Sequence, residues 1–190
     1  MFALAGDRAK FLAAVRSAST RTTKQAFLLE RWRQILNDPA LDQYDDAYRI
    51  ETDANGEVLM SPRPPNTHNL KAFQIAAMIE RRLGPRCSGE TRILTDQGIK
   101  AADAVWCPAS KWPQDEENDI FLFAPEICIE VLSPRNTRAE IDQKRGLYFA
   151  AGAREVWVCN RDNTMSFFNP EGRLEKSKLY PDFPSIFQLY

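Results

Sequence analysis

The rhythm of apolar and polar positions changes along the chain, and each change predicts an element. Over residues 24–36, Phe27, Leu28, Trp32, Ile35 and Leu36 recur at helical spacing, and Asn37-Asp38-Pro39 ends the run. Tyr48-Arg49-Ile50-Glu51 and Glu57-Val58-Leu59-Met60 read as two strands of a hairpin. The Asn55-Gly56 between them predicts a two-residue primed turn. Ser61-Pro62-Arg63-Pro64-Pro65 is a stiff loop. A second helix is expected over residues 67–83, with apolar residues at 72, 75, 76, 79 and 83, and Gly84-Pro85 stops it.

Two strands follow, near residues 86–94 and 99–107, joined by Asp96-Gln97-Gly98; an acidic loop covers residues 114–119. Glu126-Ile127-Cys128-Ile129-Glu130-Val131-Leu132 reads as a buried strand. The next helix, over residues 138–151, is announced by Thr137 and Glu140 at capping-box spacing and closed by Gly152. Glu155–Cys159 is another strand, and residues 164–169 and 173–179 form a closing hairpin that turns at Pro170-Glu171-Gly172. Helix, hairpin, helix, strands, helix, strand, hairpin is the order of an α/β or α+β domain with a mixed central sheet.

A length of 190 residues fits one domain with an added arm. Residues 1–26 are expected to be that arm, flexible or loosely helical. They hold five bases against one acid, Asp7, and a Ser/Thr-rich centre. Residues 27–190 make the domain.

The longest apolar runs are far too short to span a bilayer. The N-terminus lacks the charged start and long apolar core of a secretory signal, so a cytoplasmic location is expected. Cys87, Cys107, Cys128 and Cys159 form no CxxC pair, which argues against a structural zinc site, and all four are expected to be reduced. A single histidine, His68, excludes any metal site that needs two from one chain. The formal net charge of −1 does not describe a strongly basic nucleic-acid-binding domain, although a local basic surface remains open.

Three side chains sit where their chemistry does not belong. Strand alternation places Asp103 with Ile99, Ala101, Val105 and Cys107, among small or apolar neighbours. An aspartate at a bulge or strand end, bonded to backbone, is the ordinary explanation. Glu130 lies in the apolar run, where an unpaired carboxylate costs several kcal/mol; a buried ion pair to an arginine is the ordinary explanation. Lys144 falls in the apolar stripe of its helix, among Ile141, Leu147, Tyr148 and Ala151. Snorkelling, or an ion pair with Glu140 one turn earlier, would account for it.

Two carboxylates on strands of one sheet and an inward lysine also make a chemical set. Close carboxylates repel, so one takes up a proton unless a cation intervenes. Mg²⁺ binds through one or two carboxylates and fills its shell with water and substrate phosphate. A nearby lysine can orient the attacking water or stabilise developing charge. The set fits metal-assisted hydrolysis of a phosphodiester.

Several ordered motifs carry a resemblance. Glu130-Val131-Leu132-Ser133-Pro134, then Lys144 and Tyr148, then Gly152-Ala153-Arg154-Glu155-Val156-Trp157, are similar to the Uma2 family of putative restriction endonucleases. So are Asn55-Gly56-Glu57-Val58-Leu59-Met60-Ser61-Pro62 with His68 soon after, Gly98-Ile99-Lys100-Ala101-Ala102-Asp103-Ala104-Val105-Trp106, and Pro181-Asp182-Phe183-Pro184. The likeness runs from about residue 30 to the C-terminus. It implies a restriction-endonuclease-like core of the PD-(D/E)XK superfamily, a mixed sheet flanked by helices, with Asp103 and Glu130 as ligands of Mg²⁺ (or Mn²⁺).

Two departures from the superfamily pattern stand in this chain. Ala102 replaces the proline before the aspartate, and Leu132 stands where the motif lysine is expected; the family's lysine comes from the next helix, which matches Lys144. Glu90, Glu57 and His68 match further family positions and are additional site candidates. For His68, a helix N-terminal residue bonding the loop is the other reading.

The expected activity is a metal-dependent endonuclease acting on nucleic acid, DNA first, with no membrane partner and a homodimer as a plausible form. Arg135, Arg138 and Arg145 flank the region and could contact phosphates, or form an ordinary solvated helix face. A nucleic-acid-binding or assembly module without catalysis is the alternative. A hydrolase of a small phosphorylated substrate is a third, but the sequence has no GxxxxGK[ST] loop.

Overall fold

The computed structural model describes residues 23–44, 46–112 and 120–187. Most of the expected arm, residues 1–22, and the acidic loop lie outside them. Within them the chain runs α1 (Thr23–Leu36), a short α2 (Pro39–Asp42), β1 (Tyr48–Thr52), β2 (Val58–Pro62) and α3 (Asn66–Leu83). There follow β3 (Cys87–Ser88), β4 (Thr91–Thr95), β5 (Gly98–Ala102), β6 (Ala104–Trp106), β7 (Ile127–Val131), α4 (Arg138–Ala150), β8 (Glu155–Cys159), β9 (Met165–Asn169) and β10 (Gly172–Leu174).

The central sheet has the order β10-β9-β8-β7-β6-β3. Only β7 and β8 pair in parallel, joined across α4, so the sheet is mixed as expected. Ile127, Ile129 and Val131 turn to one face, where they pack with Ala72, Ile75, Ala76 and Ile79 of α3 and with Trp157 and Phe167. Each fully buried isoleucine contributes roughly 1.5–3 kcal/mol. Cys128 faces the other way, toward Tyr148 of α4 and Val156. α4 starts at Thr137 and Glu140, which form the full capping box, and Gly152 at φ +109 follows its end.

Three expectations needed correction. The β1–β2 turn is not a two-residue primed turn. Asp53 and Glu57 pair across it, Gly56 N–H donates to the Asp53 carbonyl, and of the intervening residues only Gly56 has positive φ, at +74. That is a three-residue loop with a glycine bulge. The Asp53 carboxylate holds it by accepting from the Asn55 and Glu57 N–H groups. Each of the two long strands expected over residues 86–107 is broken, one at Gly89-Glu90 and the other at Asp103, so that β4 and β5 pair apart from the main sheet. The final strand stops at Leu174, because residues 177–179 turn back to bond Glu155.

The β1–β2 hairpin docks onto β5 through polar bonds. Ile99 N–H donates to Thr52 Oγ1 (2.8 Å), Ala101 N–H to Glu51 Oε1 (2.8 Å) and Lys100 Nζ to the Thr52 carbonyl (2.7 Å). Gly98, at φ +99, permits this approach, since a β-carbon there would overlap the Thr52 and Asp53 carbonyl oxygens. With Ile50 turned into a second core against Leu28, Trp32 and Leu94, Arg49 and Glu51 project from the other side of β1.

Candidate active site

The break between β5 and β6 is where the sheet becomes polar. Asp103, 4% exposed, keeps its N–H on the Ile129 carbonyl of β7 (3.0 Å). Its carboxylate is well supplied. Oδ1 accepts from Arg49 Nη2 (2.7 Å); Oδ2 accepts from Val131 N–H (2.7 Å) and lies 3.1 Å from His68 Nε2. Burial opposes ionisation of Asp103, but the His68 hydrogen bond and the Arg49 charge outweigh it and hold the group down at about 2. His68 opens α3, and its Nε2 is also 2.8 Å from the Val131 carbonyl, so it ties that helix to the end of β7. Burial works against its charged form; Asp103 works for it and prevails, raising its pKa.

Glu130, 3% exposed, is supplied differently. Its Oε1 accepts from the Tyr148 hydroxyl (2.7 Å) and lies 3.6 Å from Lys144 Nζ. Burial dominates, the Lys144 charge opposes it only in part, and nearby Asp103 adds repulsion, so the carboxyl is pushed up to about 7. The pair of carboxylates has thus separated, one charged and one near the point of taking a proton.

Lys144 crosses from α4 to the cleft and donates to the Ala101 carbonyl (2.9 Å) and Glu51 Oε1 (3.0 Å). It neither snorkels to solvent nor spends its charge on Glu140. Burial disfavours its charge, yet Glu130 and Glu51 overcome that and raise its pKa. Glu51 in turn is lowered despite burial, by Lys144 and the Ala101 N–H.

Asp103, Glu130, Lys144 and His68 line one cleft of about 310 Å³ with Arg49, Arg63 and Arg135. Glu90, in the bend between β3 and β4, lines an adjoining cleft of about 440 Å³ that shares Arg49, Arg63 and Asp103 with this one; its Oε2 meets Arg63 Nη1 (2.9 Å) and Arg49 Nε (3.5 Å). Glu57 does not reach it: the residue is exposed at the far turn of the β1–β2 hairpin. Arg138 and Arg145 line a neighbouring groove. Leu132 also faces neighbouring grooves, and the cleft's ammonium comes from Lys144.

The residues that sequence reading missed are Arg49, Glu51, Arg63 and the Tyr148 hydroxyl. Arg49 and Glu51 share a strand face at period two, a pattern also produced by any solvent-facing strand. Tyr148 follows Lys144 at i+4, so it was visible in the stripe but read as apolar.

Among the described residues no group of three or more His, Cys, Asp or Glu side chains is arranged to hold a metal. Two carboxylates are enough for an ion that keeps water and takes oxygen from a substrate phosphate. Glu130 has capacity to spare, since both of its partners among the described residues sit on Oε1. Asp103 Oδ1 has one lone-pair direction left beside Arg49. The donors are all hard oxygens, so the set fits Mg²⁺ or Mn²⁺, with Arg49 as a competitor for Asp103.

Comparison with known proteins gives a family match over residues 38–186, to the Uma2 model described as "Putative restriction endonuclease". None of the curated proteins matches. Among solved structures the chain is similar to a putative nuclease belonging to DUF820 from Anabaena variabilis. Identity is 22%, with 64% of this chain and 72% of that chain covered and a TM-score of 0.56. No helix among the described residues is long and apolar enough to cross a membrane.

Proposed function

The chain belongs to the Uma2 family, and from that premise we propose that it is a divalent-metal-dependent endonuclease that hydrolyses phosphodiester bonds of nucleic acid, DNA in the first instance. The observation that carries the reading is the convergence of Asp103, Glu130 and Lys144 on one cleft, with the pKa of Asp103 lowered by its His68 and Arg49 partners and that of Glu130 raised by burial.

In this reading Glu130 and Asp103 hold Mg²⁺ or Mn²⁺, which when bound polarises a phosphoryl oxygen and lowers the pKa of a bound water. The protein's own groups do the rest. Two Lys144 donors are spent on Ala101 and Glu51, which aim the ammonium; the third, on the long 3.6 Å approach to Glu130, is the one to meet a water or a phosphoryl oxygen. Tyr148 fixes the Glu130 rotamer from below. Arg63 and Arg135 stand at the cleft wall, where they can hold the phosphates that flank the scissile bond. The reading includes action in the cytoplasm and a homodimer as the form that cuts both strands of a duplex; sedimentation velocity measures the latter.

Binding without cutting is the second reading, and the Arg49–Asp103 ion pair at 2.7 Å favours it, because a metal must compete with a resident cation. One experiment separates the two. Purified protein is incubated with plasmid, single-stranded DNA and RNA, in Mg²⁺, Mn²⁺ or EDTA, beside Asp103→Ala, Glu130→Ala and Lys144→Ala. Cleavage by wild type that needs the metal and all three side chains supports the nuclease. Cleavage that survives EDTA or the substitutions overturns it, and retention of nucleic acid without cleavage establishes the second reading.

A further inference from the structure

Beyond the cleft, the surface continues around the Ser133–Asn136 loop into two further grooves of about 200 and 680 Å³. The smaller shares Ser133 and Pro134 with the cleft, and the two grooves share Leu132 and Arg161, so the three adjoin around that loop. Among the described residues the lining of the two grooves is basic: Lys71, Arg138, Arg145, Arg161 and Arg173, with Asp142 and Asp162 as the acids. On a chain whose formal net charge is −1, that concentration is local and not a reflection of the total.

The acids do little to cancel it. Asp162 is turned back on its own turn, accepting from Thr164 N–H (3.0 Å) and Oγ1 (2.7 Å). Asp142 pairs with Arg145 (3.0 Å) and only distantly with Arg138 (3.9 Å). Lys71, Arg161 and Arg173 have no ion pair among the described residues.

Two of the cations are also held in place. Arg161 donates to the Ser133, Pro134 and Asn136 carbonyls (3.0–3.2 Å), which fixes the loop between cleft and groove. The Arg145 guanidinium lies 3.9 Å over the Phe168 ring, and Phe168 is the register partner of Arg173 across β9–β10. α3 begins beside the smaller groove with no acid in its first turn and no side-chain cap, which leaves its N-terminal charge unneutralised.

We propose that this basic groove is the track along which the phosphate backbone of a nucleic-acid strand leaves the cleft, a second anchoring surface separate from the metal-binding carboxylates. The proposal rests on the nuclease reading of the cleft for the identity of the ligand, and on the groove's own charge and continuity for its place. Anchoring outside the cleft sets the affinity and its salt dependence, whereas the cleft sets the chemistry.

The test measures binding, not cleavage. Fluorescence anisotropy of labelled single-stranded and duplex DNA oligonucleotides is followed in EDTA across a NaCl series, for the full chain. The groove variant is Lys71→Ala/Arg138→Ala/Arg173→Ala. A control of equal charge change away from the groove is Arg81→Ala/Arg82→Ala/Lys176→Ala. The groove variant is expected to lose at least about tenfold in affinity and to lower the slope of log K against log salt by roughly 2, while the control loses under about threefold.

Arg138→Glu/Arg173→Glu, two exposed sites, serves as a second variant should the triple unfold, and is expected to weaken binding at least as much. Equal losses in control and groove variants, or no loss in the groove variants, would overturn the proposal. So would failure of the wild type to bind either oligonucleotide. Groove-dependent binding by a protein that never cuts keeps the proposal and removes the nuclease; metal-dependent cutting with groove-independent binding does the reverse.

Discussion

Two glutamates lie buried on adjacent parallel strands, Glu130 near the end of β7 and Glu155 at the start of β8, and they have opposite surroundings. Glu155 is saturated. It accepts from Trp157 Nε1 and Ser177 Oγ (both 2.7 Å) on one oxygen and from the Lys178 and Leu179 N–H groups (2.7 and 3.0 Å) on the other. Four donors on four acceptor directions make it a structural fastener for the C-terminal segment, beside the Trp157, Phe167 and Phe183 rings. Glu130 has a tyrosine hydroxyl and a distant ammonium, both on one oxygen, and opens on a cleft. Burial is common to both; acceptor capacity left over beside a cleft distinguishes Glu130, and it is the ground on which the proposed metal role rests.

The sharpest break in that comparison is Glu155→Ala. It strands an indole N–H, a hydroxyl and two backbone N–H groups, and is expected to cost roughly 3–5 kcal/mol in urea unfolding. Glu130→Gln should do the reverse, lowering cleavage by about 10²–10³-fold in a plasmid-nicking assay while leaving stability at pH 8 unchanged or higher. The sign follows from the raised pKa. The stability associated with protonated Glu130 is fully present below about pH 4.5 and is lost as pH rises through about 7, and the glutamine variant lacks that loss. Unfolding curves of the two proteins at pH 5 and pH 8 check it.

Divalent metal sharpens the contrast further. At about 100 times its Kd, Mg²⁺ is expected to stabilise the wild type by about 2.7 kcal/mol and Glu130→Gln far less, with Glu155 playing no part; thermal melts with and without EDTA measure it. Tyr148→Phe removes one of Glu130's two partners and is expected to cost about 1 kcal/mol and to move the carboxyl pKa still higher, read from the pH profile of stability. Smallest is Glu57→Ala, at the exposed hairpin turn, expected within about 0.5 kcal/mol of wild type and without effect on cleavage.

Much of this arrangement was legible beforehand. Asp103, Glu130 and Lys144 each violated a local pattern, and those violations are where the cleft is. The strand at Ile127–Val131 and the capped helix at Arg138–Ala150 followed from short-range rules, which act within a few residues and so survive in sequence. The turn at Asn55-Gly56 was misread because Asp53 binds the loop's own N–H groups and lengthens it, a side-chain choice that competes with the backbone rule. Arg49, Glu51 and Arg63 were not legible, since their partners lie 27 to 93 residues away along the chain.

The order of elements, and the presence of charged groups that an apolar sheet cannot tolerate alone, can be read from the residues in line. How those charges are shared comes from the folded arrangement: Arg49 and His68 to Asp103, Lys144 between Glu51 and Glu130, four donors to Glu155 and few to Glu130. The reason is physical. A residue's preference for helix, strand or interior is set by its own atoms and near neighbours. The state of a buried carboxylate is set by every donor and charge within a few ångströms, and folding brings those from distant parts of the chain.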